Sequence, residues 1–268
     1  MSESTLVQPE IALPPTQAEL PCDDGEPMET QRHKDQMDML IDGLRPWLEE
    51  RADGYVGGNM FVYFSLEQVR NRDFKGPDFF AVLDVPKGER LSWVLWEEGK
   101  GPDVVIELLS DSTARRDKNE KKRIYQNQLR VPEYFWFDPF NAEDWEGFSL
   151  QHGGYQSIPI DERGQRTSQA LGLALVRWQG SYRGVEATWL RWATLTGELL
   201  PLSEEIIERE RERAEQERER ATKAESQLFS CALELLREGM SVERVAGLTG
   251  LSEKEVRDLN DRTETEAD

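Results

Sequence analysis

The run Val104-Val105-Ile106-Glu107-Leu108-Leu109 restricts the possible folds more than any other segment of the chain. Its apolar residues do not alternate with polar ones, which is the pattern of a strand covered on both faces. Such a strand needs a layer above it and another below, so an α/β domain is expected. Glu107 breaks the apolar pattern. A carboxylate inside a doubly covered strand is costly unless a cation, a metal ion or several donors meet it.

The material for those layers is unevenly distributed. Eight Trp, ten Phe and six Tyr fall mostly between residues 45 and 195, so a sizeable core is expected there and hardly anywhere else in the 268 residues. Residues 1–36 hold five prolines, clustered acids and few large apolar groups, the composition of a disordered leader. The folded domain is expected over residues 37–202. A charged helix with at most a weak coiled coil follows over 203–230; Ile207, Ala214, Ala221, Leu228 and, beyond that stretch, Leu235 recur every seven residues between mostly charged positions. Residues 231–268 read as a helix-turn-helix-like module with an acidic tail.

The formal charge of −20 argues at first against a nucleic-acid partner, but most of it lies in the ends. Residues 1–36 carry −6 and residues 203–268 carry −8, leaving −6 for the middle. Residues 115–130 hold seven bases and two acids, the one strongly basic stretch. Cys22 and Cys231 lie far apart and suggest neither a disulfide framework nor a zinc site. No apolar run approaches the roughly 18 residues needed to span a bilayer, and the N-terminus lacks a signal peptide's pattern, so a soluble, cytoplasmic protein is expected with no membrane association.

Within the domain, Met37, Leu40, Ile41, Leu44 and Leu48 recur at helical spacing and predict a first helix that Pro46 kinks or divides. Strands are predicted over residues 57–65, 78–83, 102–109 and 134–137. A helix over 118–128 is expected to start in a capping box formed by Asp117 and Glu120. The order α-β-β-β-α-β, with a crossover between the third and fourth strands, implies a mixed sheet in which those two strands are parallel. Short apolar runs over residues 145–202 are expected to extend the sheet.

Asp78 opens the strand before the one that carries Glu107. Two carboxylates on neighbouring strands offer hard oxygen donors of the kind Mg²⁺ or Mn²⁺ takes, together with waters and a substrate phosphate. Asp103 shares Glu107's face of the strand but lies roughly 13 Å away, and ranks below Asp78. On the following helix Lys121, Tyr125 and Leu129 step by four with Ile124 at i+3, so Lys121 is expected to point inward at the carboxylates. Arg115, Arg116, Lys118, Lys122 and Arg123 are left as candidates for contact with a phosphate backbone. His33 and His152 stand alone and receive no role.

Gly76-Pro77-Asp78, Gly101-Pro102-Asp103 through Ser110, Asp117 through Lys121 with Tyr125, and Val131-Pro132-Glu133-Tyr134 through Pro139 together resemble the Uma2 family of endonucleases, domain of unknown function 820. The resemblance covers about residues 37–195. It implies a restriction-endonuclease-like core of the PD-(D/E)xK superfamily, here with a C-terminal long helix and a small helical module. It also implies a Mg²⁺- or Mn²⁺-dependent endonuclease acting on DNA, with Asp78 and Glu107 as metal ligands and Asp78, Glu107 and Lys121 as the catalytic set. Leu109 stands where the superfamily's Glu-x-Lys order would have lysine, and the family's lysine on the next helix corresponds to Lys121.

Blander readings accompany each element. Asp78 could serve only as a turn cap, Glu107 could form a buried ion pair with Lys121 and bind no metal, and the basic helix could be a solvated face. The alternative for the whole chain is a non-catalytic adaptor on a decayed nuclease fold, its acidic helical tail binding a protein partner. The long charged helix is also compatible with a homodimer.

Overall fold

The computed structural model describes residues 13–22, 30–71 and 76–265, and the chain divides into two units, Met1–Ser203 and Glu204–Asp268. The first unit begins with α1 (Gln31–Glu49). Thr30 caps it, its hydroxyl accepting a hydrogen bond from the His33 N–H at 3.3 Å, which satisfies one of the donors a helix start leaves open. The helix starts six residues earlier than the apolar pattern implies and continues through Pro46 without dividing. Of the expected leader, residues 1–12 and 23–29 lie outside the described residues, while Leu20 packs with Phe61, Tyr63 and Val94.

Next come β1 (Tyr55–Gly57), β2 (Val62–Tyr63), α2 (Leu66–Asn71), β3 (Phe79–Val82), β4 (Trp93–Val94), α3 (Leu95–Glu98) and β5 (Val104–Leu108). A helical run over residues 114–129, α4, leads to β6 (Glu133–Phe137), β7 (Trp145–Gln151) and β8 (Gly154–Ser157). The main sheet has the order β1-β3-β5-β6-β7-β8; β5 and β6 are parallel and every other pairing in it is antiparallel. This is the mixed sheet that the α-β-β-β-α-β order implies.

Two expectations are corrected. The strand expected over residues 57–65 is broken: its start belongs to β1, whereas Val62 and Tyr63 pair in parallel with Trp93 and Val94 in a separate two-stranded sheet. Glycines at 57 and 58 allow the break, and Gly58 fits because a Cβ there would lie 2.3 Å from the Asp78 carbonyl oxygen. Of the later strands only β7 and β8 extend the main sheet. The strands β9 (Gln165–Ser168), β10 (Leu173–Tyr182) and β11 (Val185–Ala193) form a three-stranded antiparallel sheet of their own.

The absence of alternation in β5 is explained by its two neighbouring layers. Ile106 and Leu108 face a core built with Leu40 and Leu44 of α1, Leu175 of β10 and Trp192 of β11. Val105 and Leu109 face a second core with Tyr125 and Leu129 of α4, Trp93 and Tyr134. Each aliphatic or aromatic side chain so enclosed contributes roughly 1.5–3 kcal/mol through removal from water. Glu107 has the parity of Val105 and Leu109, so its carboxylate projects into the α4 layer.

The second unit comprises most of α5 (Ser203–Arg237), with α6 (Val242–Thr249) and α7 (Glu253–Thr265). Ala232, Val245 and Val256 are buried at its centre, with Leu235, Met240 and Leu259 packed around them. The long helix runs past residue 230 and supplies the first helix of the terminal module, because Ala232 and Leu235 belong to that core. Ile207, at the start of the seven-residue spacing, is exposed.

Candidate active site

Register decides which acidic residues meet. In the antiparallel pair, Phe79 lies opposite Ile106 and Phe80 opposite Val105; extended by one residue, the pattern sets Asp78 across from Glu107. Asp78 Oδ2 accepts the Leu108 N–H at 2.7 Å, which holds the Asp78 carboxyl next to the strand position of Glu107. Pro77 assists from the loop side, its carbonyl oxygen accepting the Asn59 N–H at 3.0 Å.

The helix α4 supplies the remaining groups, and its start corrects the capping-box expectation. The helical run begins at Ala114, three residues before Asp117. The turn before it is held by Ser110, whose hydroxyl oxygen accepts the Thr113 N–H at 3.1 Å. Asp117 is inside the helix with φ −63° and ψ −48°, and only 1% exposed. Asp117–Lys121 and Tyr125–Leu129 are π-helical turns. In a regular α-helix a four-residue step overshoots a full turn by about 40°, so residues spaced by four drift off one face. The wider π-turns reduce that drift and keep Asp117, Lys121, Tyr125 and Leu129 over the sheet. The helix ends at Arg130, whose φ is +53°.

The Lys121 ammonium lies 3.0 Å from Glu107 Oε2 and 3.0 Å from Asp117 Oδ1. The Tyr125 hydroxyl donates to Glu107 Oε1 at 2.7 Å, and the Tyr134 hydroxyl donates to the Asp117 carbonyl at 3.0 Å. Glu107 is wholly buried, whereas Asp78 is partly exposed and the Lys121 side chain 15% exposed. The cluster therefore opens to solvent past Asp78 and Lys121.

Charge is unbalanced here: three carboxyl groups face one ammonium. Burial, with Asp78 and Asp117 close by, pushes the Glu107 carboxyl up to about 8 against the pull of Lys121 and Tyr125. Burial also raises Asp78, opposed by Lys121 and the Leu108 N–H. For Lys121 burial acts downward, but Glu107, Asp117 and Asp78 outweigh it and hold the ammonium above its ordinary range. The surrounding acids favour the charged form of Lys121, while shared burial drives the Glu107 and Asp78 carboxyls toward their protonated forms. Glu133 provides a contrast. It is a buried carboxylate that accepts from the Ser168 hydroxyl and from the Gln169 and Ala170 N–H groups, and it joins β6 to the turn after β9.

The remaining candidates separate. Asp103 Oδ2 accepts the Leu83 N–H at 2.7 Å and pairs with Lys100 at 2.9 Å, a tie between strands. Lys118 pairs with Asp144 at 2.5 Å, and the Lys122 ammonium lies 3.2 Å from the Phe148 ring centre, so both lie against β7 and its flanking turn. Arg115, Arg116 and Arg123 instead line an open cleft of about 670 Å³ with Ser112, Asn119 and Glu120. His33, given no role from sequence, is buried and bonded through Nε2 to the Leu109 carbonyl at 2.9 Å. Sequence spacing reads Asp117 as a cap and Tyr125 as a packing residue, and misses that both belong to the cluster. One further step of four back from Lys121 along its own stripe reaches Asp117.

The sequence model of the Uma2 family, described as "Putative restriction endonuclease", matches residues 10–179. Among solved structures, one from Anabaena variabilis described as "a putative nuclease belonging to DUF820" is 14% identical. The alignment covers 59% of this chain and 91% of that one, with a TM-score of 0.41. Among curated proteins none matches the chain.

Proposed function

This chain belongs to the Uma2 family, and from that premise we propose that it hydrolyses phosphodiester bonds of DNA with the help of Mg²⁺ or Mn²⁺. The observation that carries the reading is the group around Glu107: three acids and one lysine gathered toward the end of β5, with Glu107 wholly buried and Lys121 reaching solvent.

The residues fit a divalent ion. The carboxylates outnumber the cation, and Asp117 Oδ1 is buried with no hydrogen-bond partner beyond its ion-pair contact to Lys121. Among the described residues no three acids, histidines or cysteines are arranged as a metal cage. Mg²⁺ fits such a setting, since it takes one or two carboxylates and keeps waters and phosphate oxygens in its other positions. Asp78 and Glu107 would hold it. When bound, such an ion polarises the phosphodiester and lowers the pKa of the attacking water.

The chain's own residues supply the rest. Tyr125 holds Glu107 in one rotamer through Oε1. Asp117 and Glu107 keep Lys121 charged, and the ammonium is available to orient the water or to neutralise charge on the phosphate. Arg115, Arg116 and Arg123 offer positive charge along the same helix for the backbone of the substrate. Water loses a proton as its oxygen bonds to phosphorus, an ester P–O bond breaks, and the leaving oxygen takes up a proton in place of the one the water gave up.

A cleavage assay with Mn²⁺ on duplex DNA tests this, comparing wild type with Glu107→Gln and Lys121→Ala. Strong loss in both variants supports the assignment, whereas equal cleavage by all three overturns it. The net charge of −20 favours one rival, a non-catalytic adaptor whose acidic helical tail binds a protein partner. Wild type that neither cleaves nor binds metal would support that rival.

A further inference from the structure

The geometry points to a second subsite beside the catalytic cluster, a pocket for an unpaired nucleobase walled by Phe140. The inference rests on the nuclease reading and adds to it the form of nucleic acid preferred. Where β5 and β6 end in parallel, a groove of about 580 Å³ opens between the chain after Leu109 and the turn after Phe137. Its walls include Thr30, His33, Ser110, Asp111, Asp138 and Phe140. Clefts of this volume suit small ligands, and in α/β sheets ligands gather outside the carboxyl ends of the strands. Leu109 is two residues beyond Glu107, roughly 7 Å along an extended strand, so the groove adjoins the carboxylates.

Phe140 is 63% exposed yet firmly placed. Asp138 Oδ1 accepts the N–H groups of both Phe140 and Asn141, at 2.8 and 3.0 Å, which fixes the turn. The Arg32 guanidinium lies 5.2 Å from the Phe140 ring centre and 5.4 Å from that of Trp189, and donates to the Pro139 carbonyl at 3.2 Å. His33 meets the ring at 5.7 Å and is itself held by Thr30 and the Leu109 carbonyl. An exposed aromatic ring on a braced turn costs apolar exposure without completing any core, and its open surface is a platform on which a base can stack.

Charge indicates what enters. Asp111 and Asp138 line this groove and disfavour a phosphate, while the Asp111 carboxylate can accept from the amino group of a base. The neighbouring cleft, which shares Ser112 with the groove, carries Arg115, Arg116 and Arg123 and suits phosphate. A nucleotide with its phosphate toward the arginines and its base on Phe140 uses both. Inside a duplex the base is stacked and unavailable, so the occupant is a base from a single strand, a bulge or a flipped position.

The test uses the full chain and matched oligonucleotide duplexes, with and without one unpaired 2-aminopurine. Binding is followed by anisotropy in Ca²⁺, and cleavage separately in Mn²⁺. Wild type is expected to bind the unpaired-base duplex about tenfold more tightly than the paired one and to quench the 2-aminopurine. Phe140→Ala should lose most of that preference and the quenching, and Phe140→Trp should keep both. Equal affinity of wild type for the two duplexes, or an undiminished preference in Phe140→Ala, overturns the subsite; cleavage by wild type in Mn²⁺ would then leave the nuclease reading standing. If wild type neither binds nor cuts any of these oligonucleotides, the nuclease reading fails and the subsite fails with it.

Discussion

Tyr125 donates its hydroxyl hydrogen to Glu107 Oε1 at 2.7 Å, from a position 18 residues further along the chain and inside the protein. The two residues join α4 to β5 at the buried carboxyl that interrupts the apolar strand. Tyr125→Phe keeps the ring and removes the donor, leaving a buried carboxyl oxygen unsatisfied. A loss of roughly 1–3 kcal/mol in unfolding free energy is expected by denaturant titration, with lower cleavage at saturating substrate.

Removing the cation is expected to cost more. Lys121→Met leaves Glu107 and Asp117 buried with no positive partner, for which roughly 3–5 kcal/mol is the usual scale. In Lys121→Met with Glu107→Gln the loss should be smaller than the sum of the two single losses, because the carboxyl and the ammonium are in direct contact, while Asp117 still lacks Lys121. A double-mutant cycle measures the coupling; additive losses would mean the two groups do not interact.

The pH dependence follows from the direction of the Glu107 shift. Its carboxyl is pushed up to about 8 in the folded protein, above the ordinary value of 4.5 expected in the unfolded chain. Between those values the folded state binds a proton that the unfolded state has lost, so the contribution is fully present below 4.5 and declines as pH rises through 8. Without added metal, wild-type stability is expected to fall relative to Glu107→Gln between about pH 5 and about pH 8. Parallel pH profiles for the two proteins would contradict this.

Gly58 tests the alignment of Asp78. An alanine Cβ there would lie 2.3 Å from the Asp78 carbonyl oxygen and 2.9 Å from Met37 Sδ, and backbone gives way less readily than a methionine tip. Gly58→Ala is expected to destabilise by roughly 1–3 kcal/mol. It should also raise the Mn²⁺ concentration needed for half-maximal cleavage, because Asp78 moves relative to Glu107.

The basic residues of α4 should divide into two groups under titration with salt. Reversing Arg115, Arg116 and Arg123 to glutamate is expected to weaken DNA binding and to flatten its salt dependence by about 0.9 for each phosphate no longer neutralised. Reversing Lys118 and Lys122, which are engaged by Asp144 and Phe148, should mainly lower thermal stability. Equal salt slopes in wild type and the triple variant would remove the arginine cleft from the interface.

Much of this architecture is legible in the amino-acid sequence, and for a local reason. Strand β5 declares its two covered faces by failing to alternate, and the stripe of Lys121, Tyr125 and Leu129 declares an inward face of α4. Both signals are carried by residues within one turn or one pleat of each other. The separate pairing of Val62 with Trp93 and the division of the later strands between two sheets are not legible in this way, since pairing partners are chosen by competition among distant segments.

The same boundary runs through the site. Sequence alone determined that Glu107 sits in an apolar strand and must be compensated, that Asp78 opens the preceding strand, and that Lys121 points inward. Tertiary structure decided that Asp117 leaves a capping role and joins them, that Tyr125 bonds to Glu107, and that the five other basic residues split between an open cleft and the flank of the sheet. Residue type and spacing set which face a side chain occupies. Register and enclosure set which other charges share that space, and in a buried cluster those neighbours determine where the protons and cations reside.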